Sequence, residues 1–156
     1  MPTKQRREAK PNAITLLKED HRQVSALFER FERSRQDGAK KKLADQICDE
    51  LTAHAEIEEQ IFYPAVRQAV RDDDMMDEAT VEHATAKALI KQIRAASPGD
   101  PMYDAKLTVL SEYIKHHVKE EQGEMFPKAR KSGVDLQELG ARMASHKQRI
   151  LRRRQG

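Results

Sequence analysis

Apolar residues recur at alternating spacings of three and four along most of the chain, the period of an amphipathic helix. Four long stretches carry the pattern, and a shorter one follows. The first covers about residues 12–35, with Ile14, Leu17, Val24, Phe28 and Phe31 on one face and Asn12 as its cap after Pro11. Asp37-Gly38 marks a turn. The second stretch, about 40–70, aligns Leu43, Ile47, Leu51, His54, Glu58, Ile61 and Ala65. Asp72, Asp73 and Asp74 suit the electropositive start of a third helix, which runs to about 96 with Met76, Ala79, His83, Ala86, Ile90 and Ile93 in register. After the breaker Ser-Pro-Gly-Asp-Pro, Asp100 is the expected cap and Pro101 the first residue of a fourth helix. It ends at about 131, with Leu107, Leu110, Ile114, His117, Glu121 and Met125 on one face. Gly133 reads as a left-handed stop, and Asp135 with Glu138 caps a last helix over about 136–152.

Long helices with short connections predict an all-α fold, an antiparallel up-down-up-down four-helix bundle with an additional short C-terminal helix. Residues 1–11 form a basic N-terminal extension, 12–131 the bundle, and 132–156 the C-terminal helix and a basic tail.

Polar residues stand in core positions, and they do so twice. His54 begins HAEIEEQIFYP and His117 begins HVKEEQGEMFP; both strings run eleven residues, with His first, Glu fifth and Pro last. Each half also has an earlier lone histidine. His21 precedes His54 by 33 residues, and His83 precedes His117 by 34. His and Glu four apart lie one helical turn apart on one face, so imidazole nitrogen and carboxylate oxygen can converge on one ion. A single histidine on an apolar face is ordinarily a hydrogen-bonded core residue. Six such residues in register on four helices are different, because two unpaired buried carboxylates would cost several kcal/mol each. A divalent cation resolves that cost. Four imidazoles and two carboxylates without thiolates exclude a cysteine-type zinc site and disfavour calcium and magnesium. They suit two iron or manganese ions, and ligand type alone does not separate iron, manganese and zinc.

The pattern His21, His54-x3-Glu58, His83, His117-x3-Glu121 resembles the hemerythrin-like HHE cation-binding family over about residues 13–130. The resemblance implies a four-helix bundle with a non-haem di-iron site, Glu58 and Glu121 bridging and the histidines terminal. Oxygen-carrying hemerythrins have a further histidine where this chain has Lys87, and a differently spaced aspartate in place of Glu121. The chain is thus similar to the broader bacterial-type family, and stable oxygen carriage is not implied. Ferritin-like di-iron proteins use Glu-x-x-His, a spacing that none of the six histidines shows.

Composition adds modest constraints. One cysteine, Cys48, allows no intrachain disulfide. No apolar run reaches membrane-span length, and the N-terminus lacks a secretory core, so a cytoplasmic location is expected. Net charge is +3, with basic clusters at Lys4, Arg6 and Arg7 and again at Arg149, Arg152, Arg153 and Arg154. These read as solvated termini, since no recognition motif accompanies them, and nucleic acid is not an expected partner.

Lesser expectations complete the picture. Pro64 and Pro127 should kink or end their helices just past the metal. His116, Glu59 and Glu120 are expected away from the metal, His146 at the surface, and Tyr63 and Tyr113 as core residues within reach of a ligand carboxylate. The expected function is a non-haem di-iron protein binding iron and dioxygen, nitric oxide or peroxide as sensor, carrier or scavenger, with no catalytic residue assigned. The alternatives are a metal-stabilised interaction or regulatory module and, less favoured, a metal-dependent hydrolase.

Overall fold

The computed structural model describes residues 12–155. It is helical throughout these residues, in the order α1 (Ala13–Arg33), α2 (Asp37–Ile57), a π-helical turn (Glu58–Phe62), α3 (Tyr63–Val70), α4 (Asp73–Arg94), α5 (Tyr103–Glu120), a second π-helical turn (Glu121–Met125), α6 (Phe126–Ser132) and α7 (Leu136–Gln155). No helix among the described residues is long and apolar enough to cross a membrane. The basic residues of the N-terminal extension lie outside the described residues.

The helix ends follow local chemistry. Asn12 forms a full capping box: its side chain accepts from Thr15 N–H at 3.0 Å, and Thr15 Oγ1 accepts from Asn12 N–H at 2.9 Å. Asp72 accepts from Met75 N–H, and Asp135 from Glu138 N–H. Gly133 closes α6 at φ 83°, where a side chain would clash with the backbone. The fourth helix departs from expectation. It starts at Tyr103, not at Pro101, because Asp100 spends its carboxylate on Ser97 N–H at 2.8 Å, closing a turn. Met102 takes the capping position at φ 72°.

The prolines do not end their helices. Each is preceded by one wide turn, in which Tyr63 N–H bonds Glu58 C=O and Phe126 N–H bonds Glu121 C=O, five residues back. One extra residue in the turn rotates all that follows. Phe62, Tyr63 and Val66 are therefore buried, whereas Ile61 and Ala65, expected on the buried face, are only partly so.

Two apolar clusters fill the interior. One gathers Ile14, Leu17, Ile57, Phe62, Met76, Phe126 and Met143; the other gathers Val24, Phe28, Phe31, Ile47, Leu107 and Leu110. Between them in each helix lie the polar residues His21, His54, Glu58, His83, His117 and Glu121. Cys48 sits in the second cluster, fully buried, and burial pushes its thiol up to about 11, so it is inert.

The C-terminal helix is not the short appendage expected. α7 spans 20 residues and packs on α1 and α2 through Leu139, Met143 and Ile150. Gly140 permits this: a Cβ there would lie 2.7 Å from the Ala13 backbone nitrogen. Gly140→Val is expected to destabilise the chain by about 1–3 kcal/mol, a melting midpoint lower by several degrees. An unchanged midpoint would show that α7 docks without that close approach.

Candidate metal centre

All six candidate ligands meet in the polar layer. His21 Nε2 lies 3.1 Å from Glu121 Oε1, and His117 Nε2 lies 3.3 Å from Glu121 Oε2. His54 Nε2 lies 3.4 Å from Glu58 Oε2, and His83 Nε2 lies 3.0 Å from Glu58 Oε1. Each carboxylate thus faces one histidine from each half of the repeat. His21, His54, Glu58 and Glu121 form one group of donors within 4.8 Å of one another; Glu58, His83 and His117 form a second. Glu58 belongs to both.

The wide turns place these carboxylates. Glu58 and Glu121 each open a π-helical turn, one turn after their histidine, and both are buried to within 2%. Local sequence dictates this: Pro64 and Pro127 cannot donate, and the wide turn hands the neighbouring N–H to the ligand residue's own carbonyl.

All four imidazoles are held from behind. His54 Nδ1 bonds Asp20 at 2.8 Å, His83 Nδ1 bonds Glu59 at 2.7 Å, His117 Nδ1 bonds Glu82 at 2.5 Å and His21 Nδ1 bonds Gln122 at 2.8 Å. With Nδ1–H donating outward, every Nε2 is left facing inward, as an outer partner does for a metal-bound histidine. These partners were not among the expected site residues. Glu59 was expected in solvent, yet it bridges His83 and Lys87. Asp20 carried a signal: it occupies the three-four register between Leu17 and Val24, and it is only 4% exposed.

Tyr63 joins the site. Its hydroxyl donates to Glu121 Oε2 at 2.6 Å and stands 3.1 Å from His83 Nε2 and 3.2 Å from His117 Nε2. The matching residue of the other half, Phe126, stacks parallel on His21. The two halves are therefore chemically unequal. His116 is exposed and pairs with Glu120 at 3.2 Å. His146 is not a free surface residue; it bonds Glu56 at 3.0 Å. Tyr113 is partly buried beside the histidines.

The electrostatics of the polar layer suit a cation. Burial opposes charge on His54, but the Glu58 charge and the Asp20 hydrogen bond outweigh it and hold the imidazole well above its usual range. His117 is pushed up to about 10 by Glu121 against its own burial, and His83 is raised by Glu58 in the same way. Glu121 is opposed by burial, yet contacts with Glu58, His117 and His21 hold it well below the usual carboxylate range. The phenol of Tyr63 is raised by burial and by the charges of Glu121 and Glu58. Despite these close approaches, His21 Nε2, His54 Nε2, both oxygens of Glu58 and Glu121 Oε1 are buried without an aligned hydrogen-bond partner. Buried polar atoms without a hydrogen-bond partner are rare, and together these offer the lone-pair set a metal needs. The residues fit a bound cation.

Beside the four histidines lies a cavity of about 40 Å³, walled mainly by apolar side chains such as Val24, Leu51, Ile90 and Ile114, with Asp20, Glu82 and Lys87 also on its border. A single water needs about 10–15 Å³ by that measure, so a diatomic molecule or peroxide fits.

Comparison with known proteins agrees with the helical fold and with cation binding. The chain is 32% identical over 115 residues to a DNA nickase of Nostoc sp. (strain PCC 7120 / SAG 25.82 / UTEX 2576), a match covering 74% of this chain. The match spans only about a third of that protein, 32% of its length. The crystal structure of a hemerythrin HHE cation binding domain-containing protein from Mycobacterium kansasii superposes with a TM-score of 0.78, at 23% identity, covering 89% of this chain and 86% of that one. Residues 12–129 match the family described as Hemerythrin HHE cation binding domain. With three quarters of its length in that match and a shared all-helical fold, this metal-binding helical chain belongs to the hemerythrin HHE cation-binding domain family.

Proposed function

We propose that the chain is a di-iron protein that takes up dioxygen, nitric oxide or peroxide as sensor, carrier or scavenger, with His21, His54, Glu58, His83, His117 and Glu121 as its metal ligands. The observation that carries the reading is Glu58: fully buried, shared by both donor groups, with neither oxygen hydrogen-bonded. A carboxylate so placed is suited to bridge two ions. Bound iron would supply a redox-active centre with coordination positions open to a small ligand.

The chain's own residues prepare that chemistry. Four outer hydrogen bonds fix the imidazoles. The apolar cavity next to the histidines favours a small uncharged ligand and disfavours bulk water. Tyr63 can hold or donate a proton at its hydroxyl, beside Glu121. In our reading the helices run alternately up and down. Phe31 lies beneath Lys40 while Asp20 meets His54; Asp49 meets Arg94 while Glu59 meets His83; Phe31 meets Tyr103 while His21 meets Gln122. In each pair of helices residue numbers rise on one side as they fall on the other.

The test is elemental analysis of protein purified without chelators or a histidine tag, followed by anaerobic reconstitution and exposure to nitric oxide, dioxygen and peroxide. The expected result is about two irons per chain and an absorption change with at least one of the three. Retention of zinc alone, or iron that responds to none of them, sinks the reading.

A further inference from the structure

We infer that two lysines, Lys147 and Lys87, are positioning residues of the metal centre, one for each half, and that α7 is thereby part of the site. The inference rests on the proposed metal reading.

Each lysine ends the same three-group chain. In one half, His54 Nδ1 bonds Asp20 Oδ2, and the other oxygen of Asp20 accepts from Lys147 Nζ. In the other half, His83 Nδ1 bonds Glu59 Oε2, and the other oxygen of Glu59 accepts from Lys87 Nζ at 2.6 Å. Imidazole, carboxylate and ammonium thus follow one another twice. The chain order does not predict it: Lys87 lies one turn after His83 on α4, whereas Lys147 comes from α7, beyond residues 12–129 that match the family.

The buried carboxylate of Asp20 needs the cation most. Asp20 is 4% exposed, so water cannot screen its charge, and a buried carboxylate holding one imidazole is under-compensated. Lys147 supplies the second hydrogen bond from a side chain 16% exposed, itself steadied by Glu50 at 3.4 Å. The lysine fixes which way the carboxylate faces, and the carboxylate fixes the plane of the imidazole. Outer partners of this kind commonly alter metal affinity about 10–100-fold.

The two relays lie on different donor groups. His54 belongs with His21, and His83 with His117. Lys147→Met and Lys87→Met should therefore each weaken a different ion. The experiment is a competitive titration of the full chain with cobaltous ion against a chromophoric chelator, following both the chelator and the cobalt ligand-field bands. Metal-free melting is recorded in parallel. Expected are two binding events in the unaltered chain, with one weakened about 10–100-fold in each variant. The band affected should differ between variants, and Lys147→Arg should restore most of the loss. If the unaltered chain binds no cobalt, the metal reading itself fails. If it binds two ions and both variants match it, or if melting shifts while both affinities stay, the metal reading stands and this inference is overturned.

Discussion

Glu58→Gln is expected to abolish loading of both half-sites, leaving fewer than about 0.2 ions per chain, against about two expected for the unaltered protein under the proposed di-metal reading. The reason is geometric. Glu58 Oε1 faces His83 and Oε2 faces His54, so one carboxylate serves both donor groups. Glutamine keeps the shape but offers one neutral oxygen and an NH₂ that donates. That NH₂ would point a proton at an imidazole nitrogen or at a cation. Replacing a single histidine is different. His54→Ala removes a donor from one group only and should leave about one ion bound. Elemental analysis of the two variants after identical reconstitution, with circular dichroism to verify folding, separates the outcomes. Two ions in folded Glu58→Gln would mean that Glu58 is not shared, and the paired centre would have to be redrawn.

How much of this was legible beforehand depends on range. The candidate ligands could be picked out because each is a polar residue on an apolar stripe, and because the stripe recurs: His54 and Glu58 are repeated by His117 and Glu121 at the same spacing. Periodicity is a local property, and it served wherever the helix is regular. It failed at the first wide turn, whereas Met125 in the second is buried as expected. Reading 3.6 residues per turn through Pro64 put Ile61 and Ala65 on the buried face, whereas the inserted residue brought in Phe62, Tyr63 and Val66. That shift also carries the Tyr63 hydroxyl to Glu121, so of the two tyrosines expected within reach of a ligand carboxylate it is Tyr63 that donates to one. The outer partners were out of reach for another reason. Asp20 and His54 are 34 residues apart, Asp20 and Lys147 are 127 apart, and no single-helix pattern links them. Asp20 could have been flagged as a charged residue in core register; Lys147 carried no comparable mark.

Metal loading is expected to raise the melting midpoint by roughly 10 °C at pH 8.5, and by clearly less at pH 6. With free ion at about 1,000 times its Kd, a native-state ligand adds about 4.1 kcal/mol, and each kcal/mol moves a chain of this size by about 2–4 °C. The pH dependence comes from the imidazoles. Without metal, His54, His83 and His117 sit above their usual 6.5, with His117 at about 10, because Glu58 and Glu121 favour the charged ring. Raised folded values stabilise the metal-free fold fully below about 6.5, and that contribution is lost as pH climbs toward 10. Asp20 and Glu121 act at the other end: depressed folded values give stability that is present above 3.8 and 4.5 respectively and lost in acid. A metal needs the neutral ring, so it must displace those histidine protons, and each proton displaced makes affinity rise about tenfold per pH unit within the window. The metal-free chain therefore loses its imidazolium pairs with rising pH while the loaded chain gains affinity, and the two melting curves diverge. Paired scans with and without ferrous ion under anaerobic conditions measure the divergence, and a pH indicator in weak buffer should record protons released on loading at pH 7. Equal shifts at both pH values, with no protons released, would mean that these imidazoles are not the groups the metal displaces protons from.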